Sequence, residues 1–317
     1  MRKLKLRQIV LLVVIVFGIN LVFAQRNTSK EQPEHQEIPF VNSKIWLDDI
    51  GRFYDQGSQD AAVRYADSIL KVITPKNALD SAVVAEIHFI RGIAKFEQLA
   101  DYESIESLHL ARKLAEDLKD SQQLLTRIYY NLHINYGVQS KLFETLKYGE
   151  KALNILEGSE VSNYDLSLKL YGRMAVYSAM AGSYFKSENY LKKGEKLLEE
   201  LPNNTSLKNP KLSYTIKLLY RKMLIAFIYQ SLNLDENFDD TRIANSIETN
   251  KIKLDKIFNA DTNLVLNESD NFYYDDADVY YYALALNYYC LYQSKRAKTK
   301  INFKVLQKQI DKAIGLL

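Results

Sequence analysis

Glu106 and His109 stand one Glu-x-x-His step apart, a spacing that sets two metal ligands on one face of a helix. A di-iron bundle needs that step twice, and no second copy occurs among the four histidines His35, His88, His109 and His133. Asp270, Asp275, Asp276 and Asp278 gather beside Asn267 and Asn271 and offer the oxygen ligands that calcium takes. The EF-hand loop order and its bidentate Glu are missing, however, and acids favoured by a helix N-terminus explain the cluster more simply. There is no Gly-x-Ser-x-Gly elbow, phosphate loop or paired-cysteine motif. The sequence therefore predicts no enzyme, no cofactor and no bound metal. A metal-dependent hydrolase built on the acidic cluster is the least supported reading.

Tyrosine is the side chain left to weigh. There are 23, and eight fall between Tyr273 and Tyr292. Such rings fill cores or hold ligands, and which they do depends on the elements that carry them.

The chain opens with Arg2, Lys3, Lys5 and Arg7, followed by an apolar run from Ile9 to Phe23. Val22-Phe23-Ala24 then forms a cleavage-site pattern ahead of Gln25, the layout of a secretory signal peptide over residues 1–24. The competing reading is an uncleaved anchor, but 15 residues that include Gly18 and Asn20 are short for a span of about 20. Export to the periplasm or envelope is expected, with the membrane met only through this segment. Four of the 42 Lys and Arg lie in it and none of the 39 Asp and Glu, so the mature chain carries about −1. A nucleic-acid footprint needs clustered excess cations, and none remains. Cys290, the single cysteine, has no intramolecular partner and reads as a buried, inert thiol in an apolar helix.

Residues 25–42 are polar, contain Pro33 and Pro39, and read as a flexible leader. From Ser43 to Leu317 apolar residues recur at three- and four-residue steps, with few prolines or glycines, which predicts paired helices. Asp80, Asp120, Asn163 and Asp275 stand where N-caps are expected, and Pro75 and Pro202 just past helix ends. Gly51, Gly92, His133 and Gly172 are spaced by 41, 41 and 39 residues in similar surroundings, the mark of stacked supersecondary units. Residues 129–156 are the clearest unit. Tyr129, Leu132 and Tyr136 share one helical face, and Thr145, Tyr148, Gly149 and Ala152 share another.

These residues resemble the tetratricopeptide repeat (TPR). Tyr130-Asn131-Leu132, Tyr136 and Ala152 match its register, with His133 in the Gly place and Thr145 in the first Ala place. The other units match more loosely, through Gly51, Tyr54, Gly57 and Ala62, then Gly92, Phe96 and Ala111, then Tyr171-Gly172 and Gly182, and finally Tyr282, Ala285 and Ala313. The resemblance implies an all-α fold: a right-handed superhelical solenoid of antiparallel helix pairs, about 5–6 TPR-like repeats over residues 43–317. A fifth pair would have its first helix at Lys211–Leu232. Armadillo and HEAT repeats fit the 40-residue spacing and remain the alternative.

The family's inner groove is lined by the first helix of each pair. Projected here, that register selects Phe89 and Phe96, Tyr130 and Ile134, Arg173 and Tyr177, Phe227, then Tyr282 and Tyr289. The resemblance thus implies a scaffold that holds a protein or peptide partner on aromatic side chains. The chain finishes on Ile314-Gly315-Leu316-Leu317 without a polar capping helix, so self-association through that end is a second expectation. The other functional reading is the sensory repeat region of a truncated membrane signalling protein or transcriptional regulator.

Overall fold

The computed structural model describes residues 43–73, 77–159, 163–201, 210–232 and 240–260, together with 281, 284–286, 288 and 289. The signal segment, the polar leader, Pro75, Pro202, the acidic cluster, Tyr282, Cys290 and the last residues of the chain lie outside them. Among the described residues the chain is all-helical, with no strand. None of the described helices is long and apolar enough to cross a membrane.

The chain divides between residues 162 and 163 into two compact units. The first holds α1 (Ser43–Asp55), α2 (Gln59–Leu70), α3 (Ala78–Glu97), α4 (Asp101–Glu116), α5 (Gln122–Val138) and α6 (Leu142–Gly158). The second holds α7 (Tyr164–Met180), α8 (Tyr184–Glu200), α9 (Pro210–Leu232) and α10 (Asp240–Ala260). Successive helices pack as pairs: α1 with α2, α3 with α4, α5 with α6, α7 with α8, and α9 with α10. Within the first unit α2 also packs on α3, and α4 on α5, so each pair covers the next. Within the second, α7 and α8 both touch α9.

One turn recurs in four of the pairs. Gly57, Leu99, Ser140 and Gly182 take positive φ of 73°, 61°, 58° and 76°, and follow one another at 42, 41 and 42 residues. Just past each, a backbone amide reaches back to the carbonyl five residues earlier. These bonds are Ser58 to Phe53, Ala100 to Lys95 and Lys141 to Tyr136, each at 2.9 Å, and Ser183 to Ser178 at 2.8 Å. This is the Schellman stop, which satisfies the last free carbonyls of a helix and reverses the chain.

Five residues after the left-handed residue, the second helix presents Ala62, Ser104, Thr145 or Ser187, all fully buried. Each stands twelve residues after its counterpart on the first helix. Ser104 Oγ donates to the Gly92 carbonyl at 2.7 Å, Ser187 Oγ to that of Ala175 at 2.8 Å, and His133 Nδ1 meets the Thr145 carbonyl at 2.9 Å. Such close approach needs a small side chain on at least one helix. A Cβ on Gly92 would lie 2.9 Å from Leu108 Cγ and 3.3 Å from the Ser104 carbonyl oxygen.

The recurring first-helix positions are therefore Ile50, Gly92, His133 and Ala175, spaced by 42, 41 and 42 residues. The expected markers Gly51 and Gly172 stand off this line. Gly51 has open space where a Cβ would point, and Gly172 lies beneath the Arg221 side chain of α9. Two of the expected caps also move. Asn77 caps α3 by accepting from the Asp80 amide at 2.9 Å, which places Asp80 in the first turn. Asp120 has φ 59° and belongs to the turn ahead of α5. Asn163 does cap α7, accepting from Leu166 N at 3.1 Å.

Candidate functional site

In the first unit the first-helix face is carried by α3 and α5. Phe89 is buried, at 3% exposure, and the Arg127 guanidinium of α5 lies 4.2 Å from its ring centroid. Arg127 is fixed there by Glu86, one turn before Phe89 on α3, at 2.6 Å. A cation over a ring face is attracted by the ring quadrupole. Phe96, Tyr130 and Ile134 remain half-buried. The turn between α1 and α2 is fastened to the same end of α3: Tyr54 donates its hydroxyl to Glu97, and Gln59 Nε2 donates to that carboxylate at 2.6 Å. Burial and the Glu97 carboxylate push the Tyr54 phenol well above its ordinary range.

In the second unit Tyr177 and Phe227 are buried, while Arg173 and Tyr289 are half-exposed. Burial raises the Tyr177 phenol and the nearby Arg173 charge lowers it. The Phe227 ring packs on Tyr288 with centroids 5.3 Å apart. Tyr289 donates to the Glu248 carboxylate at 3.2 Å, and Lys251 sits 4.9 Å from its ring. Of the nine projected residues, Phe89, Tyr177 and Phe227 thus lie within the helix packing. Phe96, Tyr130, Ile134, Arg173 and Tyr289 keep partial access to solvent, and Tyr282 is outside the described residues.

A denser constellation lies where α4, α5 and α6 meet. Tyr148 of α6 stacks on Tyr136 with centroids 5.6 Å apart and 7° between planes, and on Tyr129 at 6.0 Å and 26°. His109 Nε2 meets the Tyr136 hydroxyl at 2.8 Å, and Arg112 Nε approaches His109 Nδ1 at 3.3 Å. Glu116 accepts from Arg112 at 2.7 Å and from the Tyr129 hydroxyl at 2.6 Å. Burial lowers the His109 pKa first, and the Arg112 and Lys147 charges add to it. His109 is thus engaged with a phenol, whereas Glu106 of the same Glu-x-x-His step is exposed. Among the described residues no group of three or more His, Cys, Asp or Glu side chains comes together as a metal site. These rings form a hydrogen-bonded wall.

Sequence reasoning missed an exposed aromatic series. Tyr102, Phe143 and Phe185 are 78%, 76% and 85% exposed, and each follows the left-handed turn residue by three positions. The signal was present, since the three rings recur at 41 and 42 residues. Only the turn geometry shows that they share one place at the start of the second helix.

No protein-family model matches the chain, and no curated protein matches it.

Proposed function

We propose that this chain is an exported TPR-like solenoid, right-handed and of about five to six helix pairs, that holds a protein or peptide partner. The observation that carries the reading is the recurrence: four helix pairs share one turn, one buried small contact and one spacing. A unit of that kind cannot bury both of its faces alone, and its repetition leaves a first-helix surface for binding within each unit. Phe96, Tyr130 and Ile134 supply apolar and aromatic area there in the first unit, and Arg173 of α7 and Tyr289 are the partly exposed residues of that register in the second. Half-buried rings suit peptide recognition, because they are already ordered and keep one face free.

The test is affinity capture with residues 25–317 from an envelope extract of the host, followed by mass spectrometry. The reading expects one enriched partner, retained by the parent chain and lost from a Phe96→Ala/Tyr130→Ala variant that melts within about 2 °C of it. Equal recovery by parent and variant would remove the first-helix face from the function. Recovery of the bait alone would remove the scaffold reading.

A further inference from the structure

In the second unit α8, α9 and α10 follow one another as α4, α5 and α6 do in the first, and their junction can be set beside the tyrosine wall. Buried residues of α6 are Thr145, Tyr148, Gly149, Ala152 and Leu153, and the steps from Thr145 to Tyr148 to Ala152 recur in the buried Ile247, Asn250 and Leu254 of α10. In that register Asn250 takes the place of Tyr148. Where Tyr148 fills the junction of α4, α5 and α6, the junction of α8, α9 and α10 holds a cleft of about 410 Å³.

The two walls of the cleft differ in chemistry. Asn245, Ser246, Thr249, Asn250 and Lys253 of α10 form one, and every one of them is polar. Leu191 of α8 with Ile225, Ala226 and Tyr229 of α9 makes the other largely apolar. Of the charges on the lining, Lys222 is held by Glu195, and Glu188 is engaged within the protein. Lys253 is exposed and has no ion-pair partner among the described residues. Tyr229 packs perpendicular to Tyr184, with ring centroids 4.1 Å apart, and is tied to that aromatic contact.

Polar side chains four residues apart on a helix repeat about every 6 Å, close to the roughly 6.6 Å between alternate peptide groups of an extended strand. Amide and hydroxyl side chains both donate and accept, as a peptide backbone requires. From Asn245 to Lys253 the wall runs about 12 Å, the length of about four extended residues. We propose that the α8–α9–α10 cleft binds an extended peptide segment of about four residues. Its apolar side chain packs on Leu191, Ile225 and Ala226, and an acidic side chain on the opposite face meets Lys253. The site lies on helices other than those carrying the first-helix aromatic residues. It rests on the scaffold reading only in the class of its ligand.

The probe is a fluorescein-labelled Leu-Ala-Ala-Asp amide, together with its reversed sequence, because residues three apart in a strand point to opposite faces. Leu-Ala-Ala-Lys and Ser-Ala-Ala-Asp serve as controls, and fluorescence polarisation with residues 25–317 is the readout. One Leu/Asp peptide should bind saturably, and replacing either end should weaken it at least tenfold. Asn250→Tyr should abolish binding by filling the cleft as Tyr148 fills its counterpart, and Lys253→Glu should weaken it at least tenfold. Lys253 is exposed, so that variant carries the test if Asn250→Tyr fails to fold. Phe96→Ala/Tyr130→Ala should leave peptide binding unchanged, which separates this site from the first-helix face. No saturable binding at millimolar peptide, equal binding of all the peptides, or binding indifferent to Lys253→Glu would each overturn the proposal.

Discussion

The junction of α4, α5 and α6 and the junction of α8, α9 and α10 share the three- and four-residue steps of buried residues on their last helix and are filled differently. The first is closed by Tyr129, Tyr136 and Tyr148, tied down by His109, Arg112 and Glu116. The second carries Asn250 at the corresponding place and keeps a cleft. A repeat therefore fixes where helices approach and leaves the residues between pairs free to seal a face or to open it.

Removing the largest plug should produce the largest effect. Tyr148 is 6% exposed and touches three other rings, so Tyr148→Ala should cost about 3–5 kcal/mol of unfolding free energy by denaturant titration. Asn250→Ala should cost less than half of that, because its place already borders a cleft. Similar losses at both sites would break the comparison.

Overpacking the shared helix contact ranks next. Gly92→Leu should destabilise by about 1–3 kcal/mol, since even a Cβ meets Leu108 and the Ser104 carbonyl. Gly51→Leu, in open space, should stay within about 0.5 kcal/mol. If Gly51→Leu cost as much as Gly92→Leu, the register through Ile50 would be wrong.

The turns allow a finer distinction. Gly57 of the first unit and Gly182 of the second build this turn with glycine, whereas Leu99 and Ser140 hold the same left-handed φ with a side chain. Leu99 is exposed, so Leu99→Gly should relieve backbone strain and stabilise by about 1 kcal/mol, read as a raised Tm. Gly182→Ala should lower it.

Acid sensitivity separates the two units further. All four histidines precede residue 162. Burial lowers the His88 pKa to about 4, with the Arg91 charge adding to it, and His109 is lowered for similar reasons. Both rings are held neutral in the folded chain and take up a proton more readily once unfolded. Their contribution is complete above about pH 6.5 and falls as pH drops towards 4. Tm measured across that window should fall, and His88→Gln should flatten the fall.

Much of the fold was legible in the sequence, because helix periodicity is local. The expected helix from Lys211 to Leu232 is observed at Pro210–Leu232, and Thr145, Tyr148, Gly149 and Ala152 are buried on one face as their spacing predicts. The small-residue line was legible only at Gly92 and His133. A glycine marks closeness to something, but Gly172 lies beneath an arginine of a later helix, and at Ile50 the smallness is supplied by Ala62 across the contact. The helix face that selects Phe89 is the right one, and the ring is nonetheless buried. Arg127, 38 residues further on, lies over that ring, a contact no local pattern shows. The cleft was not legible at all, since an asparagine in a polar helix carries no sign that it replaces a tyrosine.

The most direct test of this account, one register with a sealed face and an open one, is the thermal melt of Asn250→Tyr beside that of Tyr148→Asn. Equivalence of the two places predicts that Asn250→Tyr melts at or above the parent temperature, with the ring filling the cleft, while Tyr148→Asn melts well below it. A loss of Tm in Asn250→Tyr as large as that in Tyr148→Asn would contradict the correspondence and the open face with it.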